Sequence, residues 1–300
     1  MKKLILTNTI SVLLILIFIG CNSTNRLNKS YLTIKQPLIE QEIVIDELCD
    51  TSIVDHYRNM ENLRDTNVNK WFKEQGEYTD QILSQIPDRQ IMMELMQKNT
   101  SQKKYYIAHV HVTNTNQYFY LKRKSEESTF KLYFRESLDQ KEEMLFDPAT
   151  CNLLDSNSLV INNFTPDWNG EKILIAISSC GIDIMDLIIY DRLEKKILPQ
   201  RIENVFNVPD EAGYWLPDNQ GFLYLKYNDS TAGGKDALLN MQTRYYQIGN
   251  NTSETMDVFS HESCPDCEMK PEDFPLVAIN SVNDTYAIGT IAGASYFNDL

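Results

Sequence analysis

Positive charge is scarce in this chain. Against 42 Asp and Glu stand only 28 Lys and Arg, a net charge of −14 over 300 residues. A surface this acidic repels nucleic acid and anionic membrane, so no nucleic-acid role is expected. Also missing is any apolar stretch of the roughly 20 residues that a spanning helix needs. The longest run, Ile10 to Ile19, is short, and Thr7, Asn8 and Thr9 interrupt what precedes it. A serine-nucleophile elbow, Gly-x-Ser-x-Gly on a sharp strand-to-helix turn, is absent as well. Its nearest approach, Gly293-Ala294-Ser295-Tyr296-Phe297, lacks the second glycine and leaves no room before Leu300 for the helix and histidine such a site requires. No catalytic residue is therefore expected within these 300 residues.

Histidine is equally sparse. His109 and His111 alternate along one predicted strand and would share a face, a spacing that suits a metal only if another ligand opposed them, and none is evident. His56 and His261 read as ordinary surface or satisfied residues. Gly233-Gly234-Lys235 lacks both the leading glycine and the following Ser or Thr of a phosphate loop, which leaves a flexible connection. The acids are spread along turns and helix faces, with no close pair in a setting that would raise a pKa, and read as a solvated surface. Neither metal nor cofactor is expected.

What is present begins with Lys2 and Lys3, the apolar run and Gly20-Cys21, the pattern of an export signal over residues 1–20. Phe18-Ile19-Gly20-Cys21 resembles a bacterial lipobox, with Phe18 where leucine is usual. That resemblance implies that the Cys21 thiol takes a diacylglyceryl group and begins an exported, periplasm-facing lipoprotein held in the cell-envelope membrane. A signal peptide with an incidental cysteine is the alternative. Residues 21–43, opening with Asn22-Ser23-Thr24-Asn25, read as a tether. Loss of Lys2 and Lys3 takes the net charge from −14 to −16, and about 280 residues, 42% apolar before trimming, supply one large core or two modest ones. With Cys21 lipidated, Cys49, Cys151, Cys180, Cys264 and Cys267 remain, an odd number, so at least one thiol stays free or reduced. Cys264-Pro265-Asp266-Cys267 shows neither the strand-to-helix setting of a redox motif nor the second ligand pair of a zinc site. A local disulfide in a loop is expected.

Residues 44–100 read as a helical segment. Val68, Trp71, Phe72, Tyr78, Ile82, Leu83 and Ile86 recur at helical steps, with Asn67 to cap the helix and Pro87 to stop it. Arg89 to Gln97 suggests a second, short helix. Beyond residue 104 the period falls to 2, and short aromatic or β-branched runs follow one another between turns. A turn of similar chemistry recurs: Thr165-Pro166-Asp167-Trp168-Asn169-Gly170, Leu216-Pro217-Asp218-Asn219-Gln220-Gly221 and Ser281-Val282-Asn283-Asp284. Pro166 and Pro217 are 51 apart, Pro217 and Val282 65 apart, and about four strands fit each interval. The expected fold is mainly β: amphipathic N-terminal helices, then over 104–300 an incomplete β-propeller of about three and a half four-stranded blades. A β-sandwich is the alternative, but it gives no reason for the repeated turn. An open propeller leaves two bare sheet edges, which makes self-association an expectation too.

Several segments together resemble the prolyl oligopeptidase family of serine peptidases. Ile53-Val54-Asp55-His56-Tyr57-Arg58-Asn59-Met60-Glu61 is similar to the family's Asp-Pro-Tyr-Arg-Trp-Leu-Glu start, with Asn59 in place of the tryptophan. Tyr118 to Arg123, Leu132 to Glu136 and Leu145-Phe146-Asp147-Pro148 are similar to its first blade. Thr165-Pro166-Asp167, Ser178-Ser179-Cys180-Gly181 and Tyr214-Trp215-Leu216-Pro217-Asp218 resemble later turns, though several expected glycines are missing. The resemblance implies a divergent propeller that gates an α/β-hydrolase domain cleaving short peptides after proline, with the catalytic triad beyond these residues. Short proline-containing peptides are then the parent enzyme's partners. A non-catalytic cell-envelope lipoprotein for binding or scaffolding is the alternative function, and a redox lipoprotein built on Cys264 and Cys267 a third.

Overall fold

The computed structural model describes residues 34–151, 159–179, 184–228 and 236–293. The chain divides into two compact units between Asn99 and Thr100. Cys21, Cys180, the Gly233-Gly234-Lys235 loop and Ser295 lie outside the described residues.

The N-terminal unit opens with a hairpin and not a helix. β1 (Val44–Leu48) pairs antiparallel with β2 (Thr51–Asp55), Val44 opposite Asp55 and Leu48 opposite Thr51. The β-branched residues Val44, Ile45, Thr51, Ile53 and Val54 favour the strands, and the two-residue loop Cys49-Asp50 has both φ angles positive, at 46° and 62°, as right-twisted hairpins require. The helical reading of residues 44–55 is corrected accordingly. The Arg58 guanidinium then ties the turn that follows to Asp46 and, at 2.9 Å, to Asp55. Helix α1 (Thr66–Ser84) is capped by Asp65, not by Asn67, because the Asp65 carboxylate accepts from the Asn67 and Val68 amides. Helix α2 (Arg89–Ser101) follows the Pro87 break. Of the apolar residues on α1 only Val68 is buried, and α2 leaves Ile91, Met92, Leu95 and Met96 exposed.

The second unit is antiparallel β throughout. β3 (Tyr105–Val112), β4 (Tyr118–Lys124), β5 (Lys131–Arg135) and β6 (Glu143–Phe146) form one meander. β7 (Leu159–Pro166), β8 (Lys172–Ser179), β9 (Met185–Asp191) and β10 (Lys196–Val205) form the next. β11 (Tyr214–Trp215), β12 (Gly221–Lys226), β13 (Gln242–Gln247) and β14 (Met256–Phe259) form a third, and β15 (Phe274–Ala278) pairs with β16 (Ile288–Ala292). The tail of β10 joins the third meander through Val205 opposite Lys226, so that the second and third run on as one curled, propeller-like sheet.

Burial explains why β8 is apolar without alternation from Ile173 to Ile177. On β8, Ile173, Ile175 and Ile177 face a core shared with Phe119, Leu121, Leu132 and Phe134 of the first meander. Leu174 and Ala176 between them face a second core with Trp215, Phe222, Tyr224 and Tyr246 of the third. Successive side chains leave a strand on opposite faces, so a sheet covered on both sides loses the usual apolar–polar alternation. On β4, Phe119 and Leu121 enter the first core, and on the other face Tyr120 is buried by stacking on Tyr133, its hydroxyl hydrogen-bonding Glu142 at 2.7 Å. Lys122 and Arg135 reach the same carboxylate, at 2.5 and 3.4 Å. Burial pushes Glu142 up, but these three partners outweigh it and hold the carboxyl below its ordinary range.

Candidate functional site

The ends of β3, β7, β11 and β15, the first strand of each meander or hairpin in chain order, converge on one cleft of about 280 Å³. Its walls carry His111 and Asn114 from the end of β3, Asp167 and Trp168 after β7, and Glu211 and Tyr214 ahead of and on β11.

Turn chemistry places these residues. The amides of Thr113, Asp167 and Leu216 donate to the carbonyls of Gln117, Lys172 and Gly221 at 2.9, 2.7 and 2.9 Å. The amides of Asn116, Gly170 and Asn219 return to the carbonyls of Thr113, Asp167 and Leu216, each at 2.9 Å, with φ of 61°, 69° and 57°. Asn and Gly are the residues that enter this left-handed region most easily. The turn at 113–117, which has neither Pro nor Gly, is thus a further member of the series read from the sequence. The hydrogen bonds also align Asp167 with Leu216, so the two Pro-Asp pairs stand two residues out of step. Near 281 the Asp284 carboxylate caps the Asn280 and Ser281 amides at 3.0 and 2.9 Å.

Between Val205 and Tyr214 the edge strand of the third meander is interrupted, and residues 207–213 bow toward the second. Asn163 donates to Asn207 Oδ1 at 2.9 Å and to the Val208 carbonyl at 3.0 Å. Thr165 Oγ1 donates to Glu211 Oε2 at 2.7 Å and accepts from the Ala212 amide at 2.9 Å. Trp215 Nε1 donates to the Thr165 carbonyl at 2.9 Å, and Trp168 Nε1 to the Trp215 carbonyl at 3.3 Å. These bonds fix both the height and the orientation of the Glu211 carboxylate.

The electrostatics overturn the expectation of a merely solvated set of acids. Asp167 is 1% exposed. Its Oδ1 accepts from the Glu171 amide at 2.8 Å, and its Oδ2 has no hydrogen-bond partner. Burial pushes this carboxyl above its ordinary range, against the opposing pull of the Glu171 and Lys172 amides. Burial also raises Glu211; the Thr165 hydroxyl opposes the rise and Asp210 adds to it. The Tyr214 phenol is pushed up by burial and by Glu211, and burial pushes His111 down, disfavouring its charged form. No Lys or Arg lines the cleft.

His109 and His111 do not share a face. A β-bulge between Ala108 and His111 gives His109 a φ of 47° and leaves it exposed, while His111 turns into the cleft wall. His261 Nδ1 lies 3.0 Å from the Met269 carbonyl, in the loop that carries the Cys264–Cys267 disulfide. Cys49 and Cys151 are free thiols. Among the described residues no three His, Cys, Asp or Glu side chains are grouped to hold a metal, and no helix is long and apolar enough to cross a membrane. Sequence reading passed over Glu211, Trp168 and Tyr214 as site residues. The signal available was Pro209-Asp210-Glu211-Ala212-Gly213, a turn-rich insertion directly ahead of an aromatic strand.

Meanders packed face to face, with their first strands ending at a common cleft, define a propeller-type β domain. The description of the prolyl oligopeptidase N-terminal β-propeller domain matches residues 37–273, and the chain belongs to that family. A prolyl endopeptidase of Elizabethkingia meningoseptica is 24% identical over 200 residues, and one of Elizabethkingia miricola 27% over 202. Each alignment takes in 67% of this chain and 27% of the relative, so the chain spans about a quarter of their length. Among solved structures, one from a structural and mechanistic study of two prolyl endopeptidases superposes with a TM-score of 0.67 at 20% identity, over 88% of this chain and 37% of that one. Prolyl oligopeptidase B of Galerina marginata, bound to a 35mer hydrolysis and macrocyclization substrate, gives 0.63 at 17%, over 86% and 37%. At these identities the likeness is one of fold.

Proposed function

We propose that this chain is the substrate-gating part of a prolyl-oligopeptidase-like serine endopeptidase that cleaves short peptides after proline. Its β3–β6, β7–β10 and β11–β14 meanders are three blades, β15 and β16 begin a fourth, and residues 44–100 form the segment that precedes the propeller. The convergence of β3, β7, β11 and β15 on one cleft carries this reading, because first strands meet about a common axis only when blades are arranged radially. The triad belongs to a hydrolase domain encoded beyond Leu300, and the 300 residues alone do not hydrolyse peptides. The parent is exported through residues 1–20 and anchored by lipid on Cys21.

Two measurements test this. Reading the coding sequence past the codon for Leu300 should find further blades, a Gly-x-Ser-x-Gly elbow and downstream Asp and His in frame. A stop codon with nothing beyond it sinks the peptidase reading. Cys21→Ser should move the protein from the membrane to the soluble fraction of the cell envelope; continued membrane retention refutes the anchor. The second reading, a non-catalytic envelope lipoprotein that binds or scaffolds, draws support from the cleft itself, which is built wholly from this chain.

A further inference from the structure

The Asp167 carboxylate carries more charge than its turn needs. In the aligned turns Thr113 and Leu216 hold the same backbone position, and at the first of them the Thr113 hydroxyl takes the Gln117 amide at 3.1 Å just as Asp167 Oδ1 takes that of Glu171. One neutral oxygen is therefore enough to close the turn. The second oxygen of Asp167 is buried on the cleft wall without a partner, and an unpaired buried carboxylate costs several kcal/mol in order of magnitude. Glu211, held by Thr165, brings a second negative charge to the same cleft with no basic residue to balance it. Trp168, Tyr214 and Trp215 supply aromatic surface beside both acids.

We infer that the cleft where β3, β7, β11 and β15 end is a binding site for an organic ammonium group, received at Glu211 with Asp167 in the cleft wall and Trp168 and Tyr214 lining the same space. Such a group pairs with the partly exposed Glu211 carboxylate, offsets through space the negative charge of Asp167 sealed in the cleft wall, and is attracted to the adjacent aromatic faces. The donor set favours an organic cation over a metal ion, since among the described residues no three His, Cys, Asp or Glu side chains are grouped to hold a metal. A cleft of about 280 Å³ admits a small amine or the end of a peptide. The peptide N-terminus and the lysine side chain share this chemistry. The inference goes beyond the gating role, and it stands on the cleft alone whether or not the parent cleaves peptides.

The test is calorimetric titration of the full chain with alanyl-alanine amide, which offers an N-terminal ammonium, with Nα-acetyl-lysine amide, which offers a side-chain ammonium, and with acetyl-alanyl-alanine amide as the neutral control. At least one ammonium probe should bind tenfold or more tighter than the control, and Glu211→Gln should remove at least tenfold of that binding without lowering the thermal midpoint. Tighter binding of the first probe assigns the site to peptide N-termini; tighter binding of the second assigns it to lysine. Asp167→Asn should show the same loss, and if that turn does not fold, Glu211→Gln decides. Equal binding of the neutral control, no binding of either ammonium, or unchanged binding by Glu211→Gln overturns the inference.

Discussion

Thr165→Val is the most demanding test of how the second and third meanders are joined. The side chain is 7% exposed and its hydroxyl makes two bonds across the junction, donating to Glu211 Oε2 at 2.7 Å and accepting from the Ala212 amide at 2.9 Å. Valine keeps the shape and removes both. A buried amide left without an acceptor costs about 1–3 kcal/mol, and a hydrogen bond to a charged group contributes about 1.5–3 kcal/mol. Partial relaxation of residues 207–213 recovers some of this, so the expected loss is about 2–4 kcal/mol, read by urea denaturation followed through the Trp168 and Trp215 fluorescence. The loss should also depend on pH. Burial already lifts the Glu211 carboxyl above its ordinary value of 4.5, and the Thr165 hydroxyl is what opposes that rise. A carboxyl whose folded pKa is raised contributes stability below its unfolded pKa and loses that contribution as pH rises through the folded value. Thr165→Val raises the folded value further, so its penalty should be larger at pH 8 than at pH 4. A loss below about 0.5 kcal/mol, or one that grows toward acid, refutes the role given to this hydroxyl.

Three further outcomes are expected. Phe222→Ala removes a fully buried ring packed 5.4 Å from Trp215 and 5.5 Å from Tyr246, and should cost about 3–5 kcal/mol in chemical denaturation. Gly170→Ala should destabilise more than Gly249→Ala in paired thermal melts: both have positive φ, at 69° and 94°, but a Cβ at 170 collides with Gln117 Oε1 whereas nothing lies within 4 Å at 249. Replacing Cys264 and Cys267 by serine should cost at most about 2 kcal/mol by melts with and without reductant, because the disulfide closes a loop with a sequence separation of only 3.

The propeller strands with apolar or aromatic runs were legible because packing demands those runs: Lys172 to Ser179 and Met185 to Asp191 could hardly be anything but doubly covered strands. β7, β10 and β11 were not legible. β7 carries Asn162 and Asn163, poor strand formers, and Asn163 is in place because its amide is needed across the junction at Asn207 and Val208. β10 contains Pro199 and two irregularities in its pairing with β9, which blur its period. β11 is two residues long. The hairpin at residues 44–55 was missed for another reason: its loop, Cys49-Asp50, lacks the Asn-Gly or Asp-Gly signature that marks two-residue turns. The site suffered most. Asp167 was legible as a turn residue, but its burial and its unpaired oxygen arise only once separate meanders pack around the cleft. Periodicity along one strand carries no record of that.

The interruption of the third edge strand is where fold and site meet. Val205 stands opposite Lys226, Phe206 donates to Leu225 and Tyr214 stands opposite Leu223, so only Tyr224 of β12 lies between the paired ends and residues 207–213 are an insertion into the edge. Residues 207–213 have no strand of their own opposite them, and the backbone groups among them that are shielded from water must find other partners. The neighbouring meander supplies them: Asn163 takes up Val208, and Thr165 takes up Ala212. An insertion secured in this way is no loose loop. It sets Glu211 at a defined height beside Asp167, and the same hydroxyl that satisfies the Ala212 amide orients the Glu211 carboxylate. Each of the two meanders therefore contributes one acid: Asp167 is held by its own turn, and Glu211 by Thr165 of the neighbouring meander. A perturbation that slides one against the other should alter stability and ammonium binding together, whereas Glu211→Gln should separate them, removing the ligand's charge partner while leaving an amide oxygen to accept from Thr165. That contrast distinguishes a cleft built to hold a cation from one that is only the seam between two sheets.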